Sequence, residues 1–255
     1  MEPATRKRTD FPERAREYIP DERPEEGPFW RHEYKYEIDV FQEEMLRSVL
    51  DEIMEPDREA GTEGLYHVRS LYFDDAFDSC YYDNENGADL REKFRLRLYN
   101  GSAEFIRLEL KRKEAGMTLK RSCRVSVEQA GFLSEGGILD FSDDMDPLLK
   151  KFCIQQQLVG LVPKMIVEYE RIPFVCPDGN VRVTFDKNVF ACPETESFLC
   201  AEIAGRPVFP EGKELLEVKF DTLLPDHIRH SIQKTGVRQT AFSKYYLSRR
   251  FGGFA

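Results

Sequence analysis

Arg91-Glu92-Lys93-Phe94-Arg95-Leu96-Arg97-Leu98-Tyr99 alternates strictly. In a strand, Lys93, Arg95 and Arg97 point to one side and Phe94, Leu96 and Leu98 to the other. The same alternation runs through Glu33 to Ile38, Phe105 to Lys111, Val181 to Asp186 and Leu216 to Phe220. Each stretch carries a row of charge opposite a row of apolar or aromatic side chains. Two arrangements fit: a sheet with a solvated face, or a barrel whose lumen is lined with Lys, Arg and Glu.

Further strands are predicted at Val68–Phe73, Met117–Val127, Met165–Phe174, Asn180–Val189 and Phe198–Ile203. Asn100-Gly101 joins the 91–99 and 104–113 strands as a hairpin turn, and Pro177-Asp178-Gly179-Asn180 marks another turn. Helices intervene. Phe41 to Met54 places Phe41, Met45, Leu46, Val49, Leu50 and Ile53 on one face, with Asp39 as N-cap. Ser126-x-x-Gln129 is a capping box opening a helix to Ser134. Asp146 caps a helix from Pro147 to Gly160. Two more helices run from Leu223 to Gly236 and from Phe242 to Arg250. There is no βαβ alternation, so the expected fold class is α+β: an antiparallel β-barrel with flanking α-helices. Residues 1–28, charged and Pro-rich, read as a disordered or loosely docked tail. Residues 29–255 read as one domain.

Composition changes this picture in three ways. The net charge is −10 over 255 residues, which argues against a general nucleic-acid binder but permits a local basic cavity. Six cysteines lack zinc spacing and read as buried reduced thiols. No apolar run is long enough to span a bilayer and the N-terminus has no signal core, so a soluble, cytoplasmic location is expected, with a membrane partner left open. His227 and His230 read as surface or packing residues. Asp74, Asp75, Asp78 and Asp83 lack EF-hand spacing.

The charged rows carry the chemistry. Lys35, Arg95, Arg97, Lys111, Lys120, Arg124, Arg171, Arg182, Lys219 and Lys244 occupy equivalent parities on several strands and the last helix. Glu33, Glu37, Glu109, Glu217 and Asp186 are the acids among them. Arg forks and Lys point charges suit phosphate oxygens. A few carboxylates among them suit Mg²⁺ or Mn²⁺. No Walker motif is present: Gly212-Lys213 is followed by Glu214.

At these residues the sequence resembles the VTC-type polyphosphate polymerases of the triphosphate tunnel metalloenzyme superfamily. The stretches that carry the resemblance, in order, are Tyr34-Lys35-Tyr36, Leu71-Tyr72-Phe73-Asp74, Lys93 to Arg97, Glu109-Leu110-Lys111, Glu168 to Arg171, Val181 to Asp186, Leu216 to Lys219 and Phe242 to Tyr245. The resemblance implies a barrel enclosing a tunnel. It implies an ATP-dependent polymerase that adds the γ-phosphate of ATP to an inorganic polyphosphate chain and releases ADP. Lys35, Arg95, Arg97, Lys111, Arg171 and Arg182 are then expected as the catalytic cations. Tyr169, Ser243 and Lys244 are expected to contact phosphates, with Lys120, Arg124 and Lys219 beside them, and Glu217 to hold Mn²⁺ or Mg²⁺. Two departures stand out. A lysine that such polymerases place three residues before the Ser-Lys lysine is Ala241 here. The hydrolase branch opens with two glutamates before its lysine, and His32-Glu33-Tyr34-Lys35 does not reproduce both. A polyphosphate- or nucleotide-binding module without turnover, and a tripolyphosphate or nucleoside-triphosphate hydrolase, are the alternatives.

Overall fold

A computed structural model describes residues 30–61 and 63–251; the tail at 1–28 lies outside them. In chain order the elements are β1 (Trp30–Asp39), α1 (Val40–Ile53), β2 (Glu55–Pro56), β3 (Tyr66–Asp74), α2 (Ser79–Glu85), β4 (Arg91–Tyr99) and β5 (Ser102–Glu114). There follow β6 (Met117–Val125), α3 (Val127–Ser134), α4 (Pro147–Val159), β7 (Val162–Cys176), β8 (Val181–Cys192), β9 (Arg206–Pro207), β10 (Lys213–Phe220), α5 (Asp226–Lys234) and α6 (Lys244–Phe251).

Eight strands form a closed antiparallel barrel in the order β7-β3-β4-β5-β6-β1-β10-β8, and β8 pairs back onto β7. The short β2 and β9 extend β7 and β8. Local chemistry builds the corners. Asn100 and Gly101 both take positive φ, 50° and 70°, as a two-residue hairpin of this hand requires. Gly179 takes φ 73°, and a Cβ there would collide with the Leu223 carbonyl oxygen. Capping boxes form at Asp39/Gln42 and Ser126/Gln129, and Asp146 caps α4 with Pro147 at its first position.

The barrel is inverted relative to an ordinary packed one: its apolar rows face outward, beneath helices. Leu71, Leu96, Leu108 and Leu110 pack against α3 and α4 through Ala130, Leu133, Leu149 and Phe152. Val183, Phe185, Leu216 and Val218 pack against α1 and α5 through Leu46, Leu50, Ile228 and Ile232. Each fully buried Leu or Phe of these layers contributes roughly 1.5–3 kcal/mol. The rows of charge are left to the lumen.

Three expectations change, and one helix is added. On α1 the buried residues are Glu43, Leu46 and Leu50, while Phe41 is 79% and Met45 58% exposed. The helix is turned because Glu43 seeks Lys187 of β8, at 2.7 Å. The added helix is α2, which Asp74 organises. Its carboxylate accepts the N–H groups of Asp75, Cys80 and Tyr81. The strand expected at Phe198–Ile203 is instead a 3₁₀ turn, Thr195–Leu199, leading into irregular chain. Arg69 is the reason. It lies on the outer face of β3, 2% exposed, and donates to the carbonyls of Phe198, Cys200 and Ala201 as well as to Glu168. A side chain thus takes the place of a strand ladder. Finally, all six cysteines are free, but only Cys123, Cys153 and Cys192 are buried, and Cys200 is exposed. His227 and His230 are exposed as expected. No helix among the described residues is long and apolar enough to cross a membrane.

Candidate active site

The lumen is built from one side of each strand. β1 contributes Glu33 and Lys35, β4 contributes Lys93, Arg95 and Arg97, and β5 contributes Arg107, Glu109 and Lys111. β6 adds Lys120 and Arg124, β7 Tyr169 and Arg171, β8 Arg182 and Asp186, and β10 Glu217 and Lys219. The start of α6 brings Ser243 and Lys244 into the same space.

Four buried carboxylates hold these cations in place. Glu109 meets Arg95 at 2.7 Å, Lys120 at 2.6 Å and Arg97 at 3.6 Å. Glu33 meets Lys111 at 2.6 Å and Lys35 at 3.0 Å. Asp186 takes a two-pronged bond from Arg171, at 2.7 and 2.9 Å, and Lys244 at 2.5 Å. Glu217 lies 3.6 Å from Lys35 and in contact with Lys219. The Tyr169 hydroxyl accepts from Arg97 and Arg171, both at 3.3 Å, and its ring lies 4.6 Å beneath the Lys244 ammonium. Of the residues expected from the sequence, these contacts join Lys35, Arg95, Arg97, Lys111, Lys120, Tyr169, Arg171, Glu217, Lys219 and Lys244. Two stand apart. Arg182 pairs with Asp57 at 2.6 Å and with the Tyr66 hydroxyl. Arg124 is exposed at the rim, bonded to the Glu104 carbonyl. Ser243 caps α6, its Oγ accepting the Tyr246 N–H and a bond from Lys93.

The structure adds residues that the sequence reading left out of the site. Tyr72 donates no charge but accepts from Arg95 at 3.1 Å. Ser70 accepts from Arg97 at 3.1 Å. Lys93 lies 3.4 Å from Ser243 Oγ and 5.3 Å from the Tyr245 ring. The signal for Lys93 was present, since it shares the parity of Arg95 and Arg97.

Electrostatics follow from burial against pairing. Burial raises the Glu109 carboxyl, but Arg97, Lys120 and Arg95 outweigh it and hold it well below the usual range. For Glu217 the same opposition is won by Lys219, Lys35 and Lys244. Burial lowers Lys35, yet Glu33 and Glu217 raise it further and keep it charged. Lys93 has no carboxylate at ion-pair distance among the described residues, and burial pushes it down to about 8. Arg95, Arg97 and Lys244 overcome burial at the Tyr72 hydroxyl and bring it to about 8.

One pH dependence follows. Lys93 is charged below about 8 and neutral above, so it assists anion binding only on the acid side. Tripolyphosphate affinity of the wild type, relative to Lys93→Arg, is expected to fall as pH rises through about 8. The deficit reaches about tenfold near pH 9. Titration calorimetry of both proteins between about pH 6.5 and 9 reads it, and parallel profiles would remove Lys93 from the binding surface.

Glu33 and Glu217 also meet the needs of a hard divalent cation. They sit diagonally on paired strands, Glu33 opposite Lys219 and Lys35 opposite Glu217, and both reach the Lys35 ammonium, at 3.0 and 3.6 Å. Among the described residues there is no group of three His, Cys, Asp or Glu side chains placed to hold a metal. One or two carboxylates suffice for Mg²⁺ or Mn²⁺ where phosphate oxygens and waters complete the shell. The donor set fits.

A closed barrel with outward apolar rows and a cationic lumen is the triphosphate-tunnel architecture. The chain belongs to the VTC domain family, whose model matches residues 30–251. A Bacillus halodurans protein provisionally named an adenylate cyclase shares the fold, with TM-score 0.51 and 14% identity over 89% of this chain and 100% of that one. A Hippeastrum protein provisionally named an adenylyl cyclase, and described as having a dominant triphosphatase activity, aligns with TM-score 0.49 and 11% identity, covering 88% of this chain and 97% of that one. The Mimivirus capping enzyme triphosphatase aligns with TM-score 0.37 and 8% identity, covering 83% and 89%. No protein of curated function matches the chain.

Proposed function

We propose that the chain is an ATP-dependent polyphosphate polymerase, which transfers the γ-phosphate of ATP to an inorganic polyphosphate chain and releases ADP. The observation that carries this reading is the lumen itself: arginines and lysines from seven strands and α6, converging on one channel in a chain of the VTC family. Two polyanions that react with each other must first be brought together against their mutual repulsion. Converging Arg and Lys side chains supply that neutralisation.

In this reading Arg95, Arg97, Arg171 and Lys244 surround the transferring phosphoryl group, steadied by Tyr72 and Tyr169. Lys35, Lys111 and Lys219 bind the neighbouring phosphates. Arg182 and Lys120 extend the cationic wall. Glu217, with Glu33 diagonal to it, would hold Mg²⁺ or Mn²⁺, which supplies positive charge to phosphate oxygens. A terminal oxygen of the chain attacks the γ-phosphorus, and the bond to the β-phosphate oxygen breaks. That oxygen is already anionic, so no general base is needed. Phosphoryl transfer through a loose transition state asks mainly for alignment and charge neutralisation.

A second reading, hydrolysis with water as acceptor, is favoured by one observation: Glu33 and Glu217 both reach Lys35, at 3.0 and 3.6 Å, so two carboxylates would face a metal. One experiment separates the readings. Purified protein is incubated with ATP, Mn²⁺ and a short polyphosphate primer, and ADP, free phosphate and long-chain polymer are followed together. ADP matched by polymer is the expected result. ADP matched by free phosphate would establish the hydrolase. Tight binding of polymer without ADP would leave a binding module, and Ala241→Lys would then be the variant to make.

A further inference from the structure

Register across β4, β5 and β6 sorts the luminal charges into rungs. Lys93 lies opposite Lys111, and Lys111 opposite Lys120. Arg95 lies opposite Glu109, and Glu109 opposite Ser122. The third rung is Arg97, Arg107 and Arg124, three arginines side by side on adjacent strands. Like charges placed directly opposite each other are destabilising. In the lysine rung, Lys111 and Lys120 are relieved by Glu33 and Glu109. In the arginine rung, Arg97 alone reaches an acid among the described residues, Glu109 at 3.6 Å.

Arg107 and Arg124 meet no carboxylate among the described residues, yet both are held. Their guanidinium carbons lie 4.8 and 5.2 Å from the centre of the Phe105 ring. Arg107 donates to Ser122 Oγ at 3.4 Å and Arg124 to the Glu104 carbonyl at 2.8 Å. Arg107 is half-buried and Arg124 exposed. The rung therefore leads from the buried site to open solvent. Cation–π contact fixes the guanidinium planes. Their remaining N–H groups stay available for the paired acceptors that a phosphate offers. With no carboxylate at ion-pair distance among the described residues, these two positions suit anions rather than metal.

We propose that Phe105, Arg107 and Arg124 form a polyanion subsite at this mouth of the tunnel, which grips a polyphosphate chain beyond the phosphates bound inside. The assignment rests on the polyphosphate reading given above. From Arg97 to Arg124 is two strand spacings, roughly 10 Å. A chain of many phosphates covers that distance while still filling the interior, whereas tripolyphosphate, placed among Lys35, Arg95 and Arg171, does not. The subsite therefore discriminates by chain length.

The test compares long-chain polyphosphate with tripolyphosphate as ligands, by fluorescence anisotropy without divalent metal. Arg124→Gln is expected to weaken long-chain binding at least fivefold and to change tripolyphosphate binding less than twofold. Arg124→Lys should restore part of the loss, and the salt dependence of long-chain binding should become shallower in Arg124→Gln. Equal loss for both ligands would show that Arg124 acts through the shape of the interior, and no loss would show a solvated rim. Either result overturns the subsite. Wild-type protein that binds neither ligand would instead overturn the polyphosphate reading, and the subsite with it.

Discussion

On the polymerase reading, Glu217→Gln is expected to lower ATP turnover by at least about 10²–10³-fold, the effect of removing one group that stabilises charge in a phosphoryl-transfer site. The expectation rests on where Glu217 sits. It is 4% exposed, lies opposite Lys35 on β1 and Thr184 on β8, and is held ionised against burial by Lys219, Lys35 and Lys244. Glutamine keeps the shape and loses the charge. The barrel should survive, because Glu33 still faces Lys35 and Lys111. Mn²⁺ binding followed by electron paramagnetic resonance gives a readout separate from turnover, and it should weaken in parallel. A variant with wild-type rates and wild-type Mn²⁺ affinity would take Glu217 out of the site.

Arg69→Met is the largest expected loss of stability, roughly 3–5 kcal/mol, as for breaking a buried ion pair by removing one partner. Arg69 and Glu168 are 2% and 3% exposed. The same guanidinium also holds the carbonyls of Phe198, Cys200 and Ala201. The substitution therefore takes the guanidinium away from the buried Glu168 carboxylate and releases the 195–201 segment whose Phe198 completes the outer layer against α3 and α4. Urea denaturation reads the loss. Arg69→Met/Glu168→Leu should recover a large part of it, since the buried charge is then absent. Phosphate binding per folded molecule should be unchanged in both, because the pair lies outside the barrel wall. A double variant no better than the single would point to the carbonyl contacts as the larger contribution.

Much of the barrel was readable because its signals are local. Strand parity has a period of two residues, so Lys93-Phe94-Arg95-Leu96-Arg97 shows which side chains share a side without knowledge of their neighbours. Turns and caps are local as well: Asn100-Gly101, Asp39/Gln42 and Ser126/Gln129 form as their sequences indicate. The inside of the barrel is a different matter, because alternation reads the same whether the charged row faces water or the lumen. The resemblance to a tunnel family, not the period, decided that point. Pairings across the lumen were illegible for a related reason. Glu109 meets Arg95 through strand register, and Asp186 meets Lys244 through the placement of α6 after a long excursion of chain. The misread face of α1 shows the same limit. Phe41, Met45 and Val49 form as good an apolar stripe as Leu46 and Leu50, and only the distant Lys187 makes Glu43 the residue that turns inward. Phe198–Ile203 failed similarly, because the partner for its carbonyls is a side chain far away in sequence.

The four luminal carboxylates bear on friction. A channel of bare cations would be adhesive, since each phosphate leaving a site would abandon a desolvated charge. Here Glu33, Glu109, Asp186 and Glu217 stand beside the cations that a polyphosphate chain would occupy. On the polyphosphate reading, a carboxylate would close on the vacated ammonium or guanidinium as a phosphate moves on, and the next phosphate would displace it again. The resistance to each step is then the difference between two comparable contacts rather than the whole of one. A polymer threaded through such a tunnel would slide by exchange of partners wherever a carboxylate stands beside the cation.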